Sequence, residues 1–175
     1  GSGTGHGMEM ILKRFPNAQI TGVDFSSEMV AVTKQKLEQF GARIKLIEAD
    51  FNVFDTKEKF DVVISAVTIH NLPHEEKVVL FSKISKYLKP DGIFLNGDFI
   101  EGESSQVNER IRDVYRKYLE TNLAGEQLKQ WLFHAFEEDK PMKLSEQRLI
   151  LGKYGLGTFD VLWTHENEAV YKASK

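Results

Sequence analysis

Three glycines at alternate positions open the chain in the stretch GSGTGHG, and a helical pattern follows them at once. Gly1, Gly3 and Gly5 lack a Cβ, so the backbone there can turn sharply and approach a ligand closely. Amides at the start of the following helix would favour a polar or anionic group. Asp24 follows Gly5 by 19 positions, and a carboxylate there can accept two hydrogen bonds from a ribose diol. Together these residues predict a nucleoside-binding turn.

The glycine stretch also has competing interpretations. Its order differs from the dinucleotide fingerprint G-x-G-x-x-G/A, because His6 stands where that fingerprint needs its third glycine. Gly1 and Ser2 could be the remnant of a cloning linker, although the rest of the stretch leads directly into a helix, a strand and an acid. Asp24 taken alone would be interpreted as a helix cap or a loop acid.

Side chains that could move a proton follow two later apolar runs. His70 lies in TIHNLP and is the first candidate, since an imidazole can act as a base near neutral pH. Asp98 in NGDF and Glu101 just beyond it are further candidates, with His134 a more distant one. The alternative for His70 is a loop histidine bonded to backbone. The five histidines show no metal-ligand spacing, so no metal site is predicted.

Alternating strand and helix patterns would position these side chains. Strands are predicted in AQITGVDF, RIKLIEAD, FDVVISAV and GIFLNGDF, and helices in MEMILKRF, after Ser26 or Ser27 and after Pro73. This order predicts a three-layer, doubly wound, mostly parallel α/β sheet, with ligands beyond the carboxyl ends of the strands. Residues 105–139 then predict two amphipathic helices, a third helix begins near Ser145, and the tail TFDVLWTHENEAVYKASK predicts an antiparallel hairpin.

The bulk composition limits the classes of function. The chain has 175 residues, of which 41% are hydrophobic, a size that favours a single domain. A net charge of −3 gives no general attraction for nucleic acid or an anionic membrane surface. Residues 101–140 carry nine acids against six bases, which argues against a nucleic-acid clamp. No apolar run is long enough to span a bilayer. The absence of cysteine excludes disulfides and thiolate catalysis, and a cytoplasmic protein is expected.

The order of motifs along the chain resembles that of the class I, Rossmann-like methyltransferases that use S-adenosylmethionine. The similarity runs nearly end to end through GSGTG, GVDFSSEMV, EADF, FDVVISAVTIHNLP, YLKPDGIF and FDVLWTHENEAVYKASK. Its most specific parts are the LKPDG turn after a helix and the final hairpin, which a dehydrogenase domain would not predict. The resemblance implies a seven-stranded sheet with one antiparallel strand near an edge.

The resemblance also implies which residues bind S-adenosylmethionine. They are Gly1, Gly3, Gly5, Asp24, Phe25, Met29, Asp50, Phe51, Ala66 and Val67. The glycines would pass under the methionine part, and Asp24 would bind the ribose hydroxyls. Around the adenine, Asp50 would accept from the amino group, the amide of Phe51 would donate to a ring nitrogen, and Phe25 or Met29 would pack nearby. Ala66 and Val67 would approach the cofactor where the third predicted strand ends. Core packing is the alternative for Phe51 and Met29, and a strand-end cap is the alternative for Asp50.

The family's first strand is expected to be missing. In the family, a strand ending in an acid precedes the glycine loop and lies between the strands that end at Asp24 and at Val67. Its loss would expose two inner edges, a cost that no surface contact offsets, so we expect the natural polypeptide to extend upstream. Residues 1–175 are thus predicted to form one methyltransferase domain without its first strand, with residues 101–140 inserted as a helical lid.

The predicted function is methyl transfer from S-adenosylmethionine to a small-molecule acceptor, leaving S-adenosylhomocysteine. A sulfonium methyl is already activated, so the protein must mainly hold the nucleophile in line and exclude water. A base such as His70 or Asp98 is needed only where the acceptor loses a proton. Aromatic residues of the insertion could line an apolar acceptor pocket or simply form core: Tyr115, Tyr118, Trp131 and Phe136. No nucleic-acid or membrane partner is expected, and a homodimer is left open.

Three other functions remain as alternatives. The same cofactor site could serve carboxymethyl transfer or the building of a modified cofactor, which a binding-site arginine would support. A catalytically silent member of the family could bind the cofactor, or nothing, and act as an interaction subunit. A nicotinamide dehydrogenase is disfavoured by His6 and by the terminal hairpin.

Overall fold

A computed structural model describes all 175 residues, which fold into two compact units, Gly1–Thr56 and Lys57–Lys175. The first unit contains α1 (His6–Arg14), β1 (Ile20–Asp24), α2 (Ser27–Leu37), a 3₁₀ turn (Glu38–Arg43) and β2 (Ile44–Glu48). The second unit begins with β3 (Phe60–Ala66), a 3₁₀ turn (Ile69–Asn71), α3 (His74–Tyr87) and β4 (Leu88–Phe99). It continues with α4 (Ser105–Asn122), α5 (Gly125–Phe133), a π-helical turn (His134–Glu138), α6 (Leu144–Lys153), β5 (Thr158–His165) and β6 (Glu168–Ser174).

The first unit is built on a parallel pair of strands. β1 pairs with β2 in register, so that Asp24 at the end of one strand lies opposite Glu48 at the end of the other. Gly22 in β1 leaves room for α1, because a Cβ there would lie 2.8 Å from Sδ of Met8. The buried core of this unit consists of Met8, Leu12 and Leu37. Ile20 of β1 and Ile44 and Leu46 of β2 pack against this core, so both helices contribute buried side chains next to the strands.

The start of α2 is set by a side-chain cap. The hydroxyl of Ser26 accepts a hydrogen bond from the amide of Met29 at 3.3 Å, which satisfies one of the free amides in the first turn. Ser26, rather than Ser27, is thus the capping residue. Because Ser26 follows Asp24 by two positions, the cap fixes how the chain leaves β1.

The second unit contains a four-stranded mixed sheet in the order β3-β4-β6-β5. β3 and β4 are parallel, whereas β6 is antiparallel to both of its neighbours. The strands at the ends of the two sheets each pair on one side only, and these are β1, β2, β3 and β5. The expected seven strands are not reached: these residues form six, and none of them precedes the glycine loop.

The LKPDG motif lies inside β4. Leu88 pairs with Phe60, and the ladder then resumes only after residues 89–92, which loop out of the strand. The prediction of a turn ahead of the strand was therefore wrong in one respect, since the strand begins before the turn. A Cβ on Gly92 would lie 3.0 Å from backbone atoms of Lys89 and Phe60, so a side chain at the last position of the loop would be crowded.

Aromatic packing forms the core of the second unit. Phe81 of α3, Phe94 of β4 and Tyr171 of β6 are almost fully buried, with ring centroids about 6 Å apart from one neighbour to the next. The hydroxyl of Tyr171 donates to Oε1 of Gln147 in α6 at 2.8 Å. This bond gives the buried hydroxyl a partner and joins α6 to the sheet.

The predicted fold class is confirmed, with its strand and helix alternation, inserted helices and terminal hairpin all present. α4 and α5 lie within the range expected for two helices, while the π-helical turn that extends α5 was not predicted. None of the helices combines the length and apolar character that crossing a bilayer requires.

Candidate functional site

The glycine loop adopts conformations that favour glycine. Gly5 is the N-cap of α1 with a φ of 72°, and Gly3 has a φ of 51°. Side chains are disfavoured in this left-handed region. A Cβ on Gly5 would also lie 2.7 Å from Cγ2 of Thr33 in α2. The alternate spacing of the glycines therefore presents backbone, rather than side chains, at the start of α1.

Asp24 holds the glycine loop and the start of α2 together. Its Oδ2 accepts from the amide of Gly3 at 2.7 Å, and its Oδ1 accepts from the amide of Ser26 at 3.0 Å. The loop is held from its other side by Thr33, whose hydroxyl donates to the carbonyl of Gly3 at 2.7 Å. Asp24 is buried with only 4% of its surface exposed. Each carboxylate oxygen still has a second lone pair, so Asp24 can accept further bonds from a ligand.

The other predicted cofactor residues of the first unit flank Asp24. The amide of Ala49 donates to the carbonyl of Asp24 at 2.9 Å, which places Asp50 and Phe51 at the same end of the strands. Oδ1 of Asp50 accepts from the amide of Asn52 at 2.8 Å. Phe25 is 72% exposed. Met29 and Phe51 are half-buried, so both have surface that a ligand could reach.

A buried hydroxyl without a partner lies in the glycine loop. Oγ of Ser2 is inaccessible to solvent and makes no hydrogen bond, although the amide of Ser2 donates to the carbonyl of Val23 at 3.0 Å. An unsatisfied buried polar atom is costly unless a ligand or water completes it. The glycine cradle, the buried carboxylate of Asp24 and this hydroxyl therefore fit a polar nucleoside ligand.

The chain reverses sharply where β3 ends in the second unit. Val67 has a φ of 50°, which is rare for a β-branched residue, and its side chain is 60% exposed. Its amide donates to the carbonyl of Gly97 at 2.8 Å, and the hydroxyl of Thr68 donates to the carbonyl of Ala66 at 2.9 Å. Strain of this kind persists where neighbouring contacts enforce it. Ala66 and Val67 thus occupy a fixed, exposed turn at the carboxyl end of the strand.

His70 and Asp98 form a buried pair. Nδ1 of His70 lies 2.6 Å from Oδ1 of Asp98, and both side chains are almost fully buried. Oδ2 of Asp98 accepts from the amides of Ile69 and His70 at 2.8 and 3.1 Å. The ring of Phe99 packs edge-on against the imidazole at 5.0 Å. The alternative of a loop histidine bonded only to backbone does not describe this geometry.

Asp139 is a site residue that the sequence analysis missed. Its Oδ1 lies 3.7 Å from Nε2 of His70 and 3.6 Å from Nε2 of His134, and it is buried without a hydrogen-bond partner. Nδ1 of His134 lies 2.9 Å from Oε2 of Glu138. His134 thus approaches His70 through Asp139, whereas Glu101 lies along a separate cleft.

Lys77 is the second missed residue. It lies in α3 with 2% of its surface exposed, and its ammonium donates to the carbonyls of Leu72 and Lys140, and to that of His70 at 3.4 Å. Burial lowers the pKa of Lys77 to about 8, while the charge of Asp98 opposes that shift. Neither Lys77 nor Asp139 belongs to a motif, so no sequence signal singles them out.

A small cavity opens beside this cluster within the second unit. Its lining includes Phe99, Tyr115, Phe136, Asp139 and Arg112. The ring of Phe136 packs against Tyr115 at 6.1 Å and carries the guanidinium of Arg112 at 4.5 Å. Two of the four aromatic residues expected in the pocket therefore line it. The other two do not line it: Tyr118 is 61% exposed and stacks on Tyr115, and Trp131 is 44% exposed and packs on His134.

The structure gathers no set of three or more histidine, aspartate or glutamate side chains placed to hold a metal ion. Its polar groups instead offer proton acceptors in the second unit and backbone amides with one carboxylate in the first. The amides and the carboxylate of the first unit could bind a nucleoside, and the proton acceptors of the second unit could take part in proton transfer.

A family model described as a methyltransferase domain matches residues 1–92, more than half of the chain. The protein belongs to this methyltransferase family. The match includes the glycine loop, Asp24, Asp50 and the Ile69–Asn71 turn that carries His70, all within the motifs that carry the resemblance. The predicted membership of the class I methyltransferases, whose cofactor is S-adenosylmethionine, is confirmed.

Curated relatives of this methyltransferase carry at least three kinds of name. A carboxy-S-adenosyl-L-methionine synthase of Nautilia profundicola is 29% identical over 118 residues, which cover 67% of this chain and 50% of the relative. A malonyl-[acyl-carrier protein] O-methyltransferase of Priestia megaterium is 33% identical over 110 residues, which cover 62% and 38%. A ribosomal RNA small subunit methyltransferase H of Picosynechococcus is 31% identical over 75 residues, which cover 42% of this chain and 26% of the relative. The chain spans about half the length of the curated relatives it matches, or less.

Solved structures agree on the fold of the methyltransferase. PigF with SAH aligns with a TM-score of 0.73 at 15% identity, covering 100% of this chain and 49% of that one. Human N-acetylserotonin methyltransferase in complex with SAM aligns with a TM-score of 0.69 at 19% identity, covering 100% and 46%. The Rossmann-like methyltransferase fold is therefore shown over the whole of the present chain.

Proposed function

We propose that the protein is an S-adenosylmethionine-dependent methyltransferase with a small-molecule acceptor. The observation that carries the proposal is the buried carboxylate of Asp24 bound to the amide of Gly3, because it joins the glycine loop to the residue that would hold the ribose. The cofactor, when bound, supplies a methyl group activated on sulfonium. The protein's own task is then to bind, orient and exclude water.

The residues proposed to hold the cofactor are Gly1, Gly3, Gly5, Asp24, Phe25, Met29, Asp50, Phe51, Ala66 and Val67. Asp24 would accept from the ribose hydroxyls with its remaining lone pairs, and Asp50 would accept from the adenine amino group. Phe25 is exposed enough to cover the adenine ring, as is the half-buried Met29. The backbone of the glycine loop would lie along the methionine part.

His70 is the proposed base for acceptors that lose a proton. Asp98 fixes the ring through Nδ1, which leaves Nε2 as the nitrogen that can take a proton. Asp139 would stabilise the resulting imidazolium, because its Oδ1 lies 3.7 Å from Nε2. The acceptor would enter from the cavity lined by Phe99, Tyr115 and Asp139, and its proton would pass to Nε2 as the methyl group is transferred.

The small-molecule class of acceptor is supported by the lining of this cavity. Rings of Tyr115 and Phe136 suit an apolar body, while the unpartnered Oδ1 of Asp139 suits a hydroxyl or amine donor. Residues 101–140, which contribute most of the lining, are the proposed lid.

Arg112 favours a second candidate, transfer of another group with the same cofactor site. A binding-site arginine was the feature that would support this alternative, and the guanidinium of Arg112 lines the cavity over Phe136. Such a cation could bind a carboxylate on the substrate. The mass of the product identifies the transferred group and so separates the two candidates. Arg112→Gln should abolish turnover of an acidic substrate but spare that of a neutral one.

Calorimetric titration of S-adenosylhomocysteine into the chain tests the proposal. Asp24→Asn should weaken binding by at least about tenfold, since a charge-assisted hydrogen bond contributes roughly 1.5–3 kcal/mol. Asp55→Asn is the matched control at an exposed carboxylate of the same unit and should bind as the unaltered chain does. Equal binding by Asp24→Asn, or no binding by any folded form, would contradict the proposed cofactor site. Binding without turnover of any acceptor would favour the silent-subunit alternative.

A further inference from the structure

We infer that Lys77 is a positioning residue of the proposed reaction. It holds residues 139–142 against the His70 turn, and its charge offsets the negative charge of the two carboxylates beside His70. The His70 turn is the 3₁₀ turn Ile69–Asn71. The inference rests on the proposed function for the role of His70 as a base. The contacts of Lys77 do not depend on that role.

The ammonium of Lys77 joins two segments that are far apart in sequence. It donates to the carbonyl of Leu72 just after the His70 turn and to the carbonyl of Lys140 in the 139–142 segment, 63 positions from Lys77. A third contact of 3.4 Å reaches the carbonyl of His70. The same carbonyl accepts from the amide of Lys140 at 2.8 Å. Removing the ammonium would leave the buried carbonyl of Leu72 and the partly buried carbonyl of Lys140 without this donor.

The fastening sets the position of Asp139. Lys140 adjoins Asp139, so the bonds to the amide and carbonyl of Lys140 hold the carboxylate where its Oδ1 meets Nε2 of His70 at 3.7 Å. Pro141, the next residue of the segment, lines the proposed acceptor cavity together with Asp139. Movement of residues 139–142 would therefore change both the surroundings of the imidazole and the wall of the cavity.

The charges around His70 also involve Lys77. Asp98 contacts Nδ1 from β4 and Asp139 faces Nε2, so two carboxylates flank one imidazole. The groups beyond them are His134 and Glu138 next to Asp139, Tyr115 across the cavity, and Glu76 and Glu146 near Lys77. With a pKa of about 8, Lys77 carries a positive charge at neutral pH.

This buried charge favours the neutral imidazole. Two adjacent carboxylates stabilise an imidazolium, whereas a nearby ammonium destabilises it. A base must be neutral to accept a proton, so Lys77 increases the fraction of His70 that is ready to act. Lys77 makes no contact with the proposed ligands and acts through His70 and residues 139–142.

Nuclear magnetic resonance of the full chain tests both parts of the inference without any substrate. In Lys77→Met, the protonation midpoint of His70 should move to higher pH by about half a unit or more, since the positive charge that interacts with Asp98 and Asp139 is removed. The amide of Lys140 should exchange with solvent at least about tenfold faster, because its segment is no longer fastened. Lys86→Met, at an exposed lysine of the same helix, should change neither quantity.

Two further variants separate charge from packing. Lys77→Gln keeps a hydrogen-bond donor but loses the charge, so it should move the His70 midpoint as Lys77→Met does while protecting the Lys140 amide more. Lys77→Met combined with Asp139→Asn should bring the midpoint back towards that of the unaltered chain, a result that a purely structural role would not give. Circular dichroism establishes that each variant is folded.

An unchanged midpoint in a folded Lys77→Met or Lys77→Gln protein would overturn the inference, as would a shift that persists in full in the double variant. The His70 midpoint and methyl transfer are measured separately, so failure of the inference can be told from failure of the proposed function. If the shift occurs but no acceptor is methylated by the unaltered chain, the proposed function fails while the contacts of Lys77 stand.

Discussion

Nδ1 of His70 lies 2.6 Å from Oδ1 of Asp98, although the two residues are 28 positions apart. The other oxygen of Asp98 binds the amides of Ile69 and His70, so one carboxylate orients the ring and the backbone that carries it. A third bond, from the amide of Phe99 to Oδ1 at 2.9 Å, fixes the carboxylate at the end of β4. The position of the proposed base is therefore determined by Asp98.

Asp98→Asn should weaken both stability and activity. An amide in place of the carboxylate turns one acceptor into a donor that faces other donors, so the free energy of unfolding should fall by about 1–3 kcal/mol. Urea unfolding measures this change. Methylation of acceptors that lose a proton should fall more than methylation of acceptors that do not. Asp91→Asn, in the exposed loop of β4, should leave both unchanged; equal stability of the two variants would contradict the role of Asp98.

Gly5 and Gly7 should respond oppositely to alanine. Gly5→Ala places a Cβ 2.7 Å from Thr33 at a φ of 72°, so we expect a loss of more than about 1 kcal/mol of stability and weaker binding of S-adenosylhomocysteine. Gly7 lies inside α1, and a Cβ there meets nothing within 4 Å. Gly7→Ala should stabilise the protein by about 0.5–1 kcal/mol because alanine favours the helix. Thermal unfolding of both variants measures these changes. An unchanged stability of Gly5→Ala would show that the loop accommodates a Cβ at position 5.

The protein should be more stable with glycine at position 67 than with alanine. A left-handed conformation costs a residue with a Cβ roughly 1–2 kcal/mol, and the exposed side chain of Val67 contributes little burial in return. Val67→Gly should therefore exceed Val67→Ala in stability by about 1 kcal/mol, since alanine keeps the Cβ. Chemical unfolding compares the two. The reverse order of stability would show that φ is relaxed in solution.

Stability should pass through a maximum in the alkaline range. Burial lowers the pKa of Lys77 to about 8, so between pH 8 and its ordinary value of 10.5 the unfolded chain binds more protons and the free energy of unfolding rises with pH. Burial raises the pKa of Tyr115 and of Tyr171 above the ordinary value of 10, so above pH 10 the unfolded chain loses protons that the folded chain keeps, and stability falls. Denaturant unfolding from pH 7 to 11 measures both limbs.

Tyr171→Phe and Lys77→Met test which residues cause the fall in stability above pH 10 and the rise above pH 8. Tyr171→Phe should flatten the fall above pH 10, and it should also cost about 1–3 kcal/mol at neutral pH because Oε1 of Gln147 loses its donor. Lys77→Met should remove the rise above pH 8. A pH profile that neither substitution alters would show that other groups control alkaline stability.

Much of the architecture was predictable because the spacing of apolar residues and the positions of turn and cap residues determine where strands and helices form. The unbroken run FDVVISAV became β3, Ser26 became a cap, and the alternating tail became the β5 and β6 hairpin. The start of β4 was not predictable in the same way. Residues 89–92 have the composition of a turn that separates elements, yet Leu88 still pairs with β3, and only tertiary pairing reveals that.

The site was predictable only where spacing along the chain carries the chemistry. The glycines and Asp24 lie in fixed order around one strand, so sequence alone could relate them. Asp139 and Lys77 could not be found in this way, because each acts on groups distant in sequence. Asp139 belongs to a run of mixed charge that would ordinarily be solvated, and the partners of Lys77 are backbone carbonyls, which every residue possesses.

The loop of residues 89–92 gives the sheet a place where length can vary. The ladder between β3 and β4 is anchored on both sides of it, by Phe60 with Leu88 and by Val62 with Ile93. Lys89, Pro90 and Asp91 are exposed, whereas Gly92 is confined by backbone. Extra residues between Pro90 and Asp91 would leave the strand register intact, which makes this junction suitable for a peptide epitope or a fluorescent label away from the His70 turn.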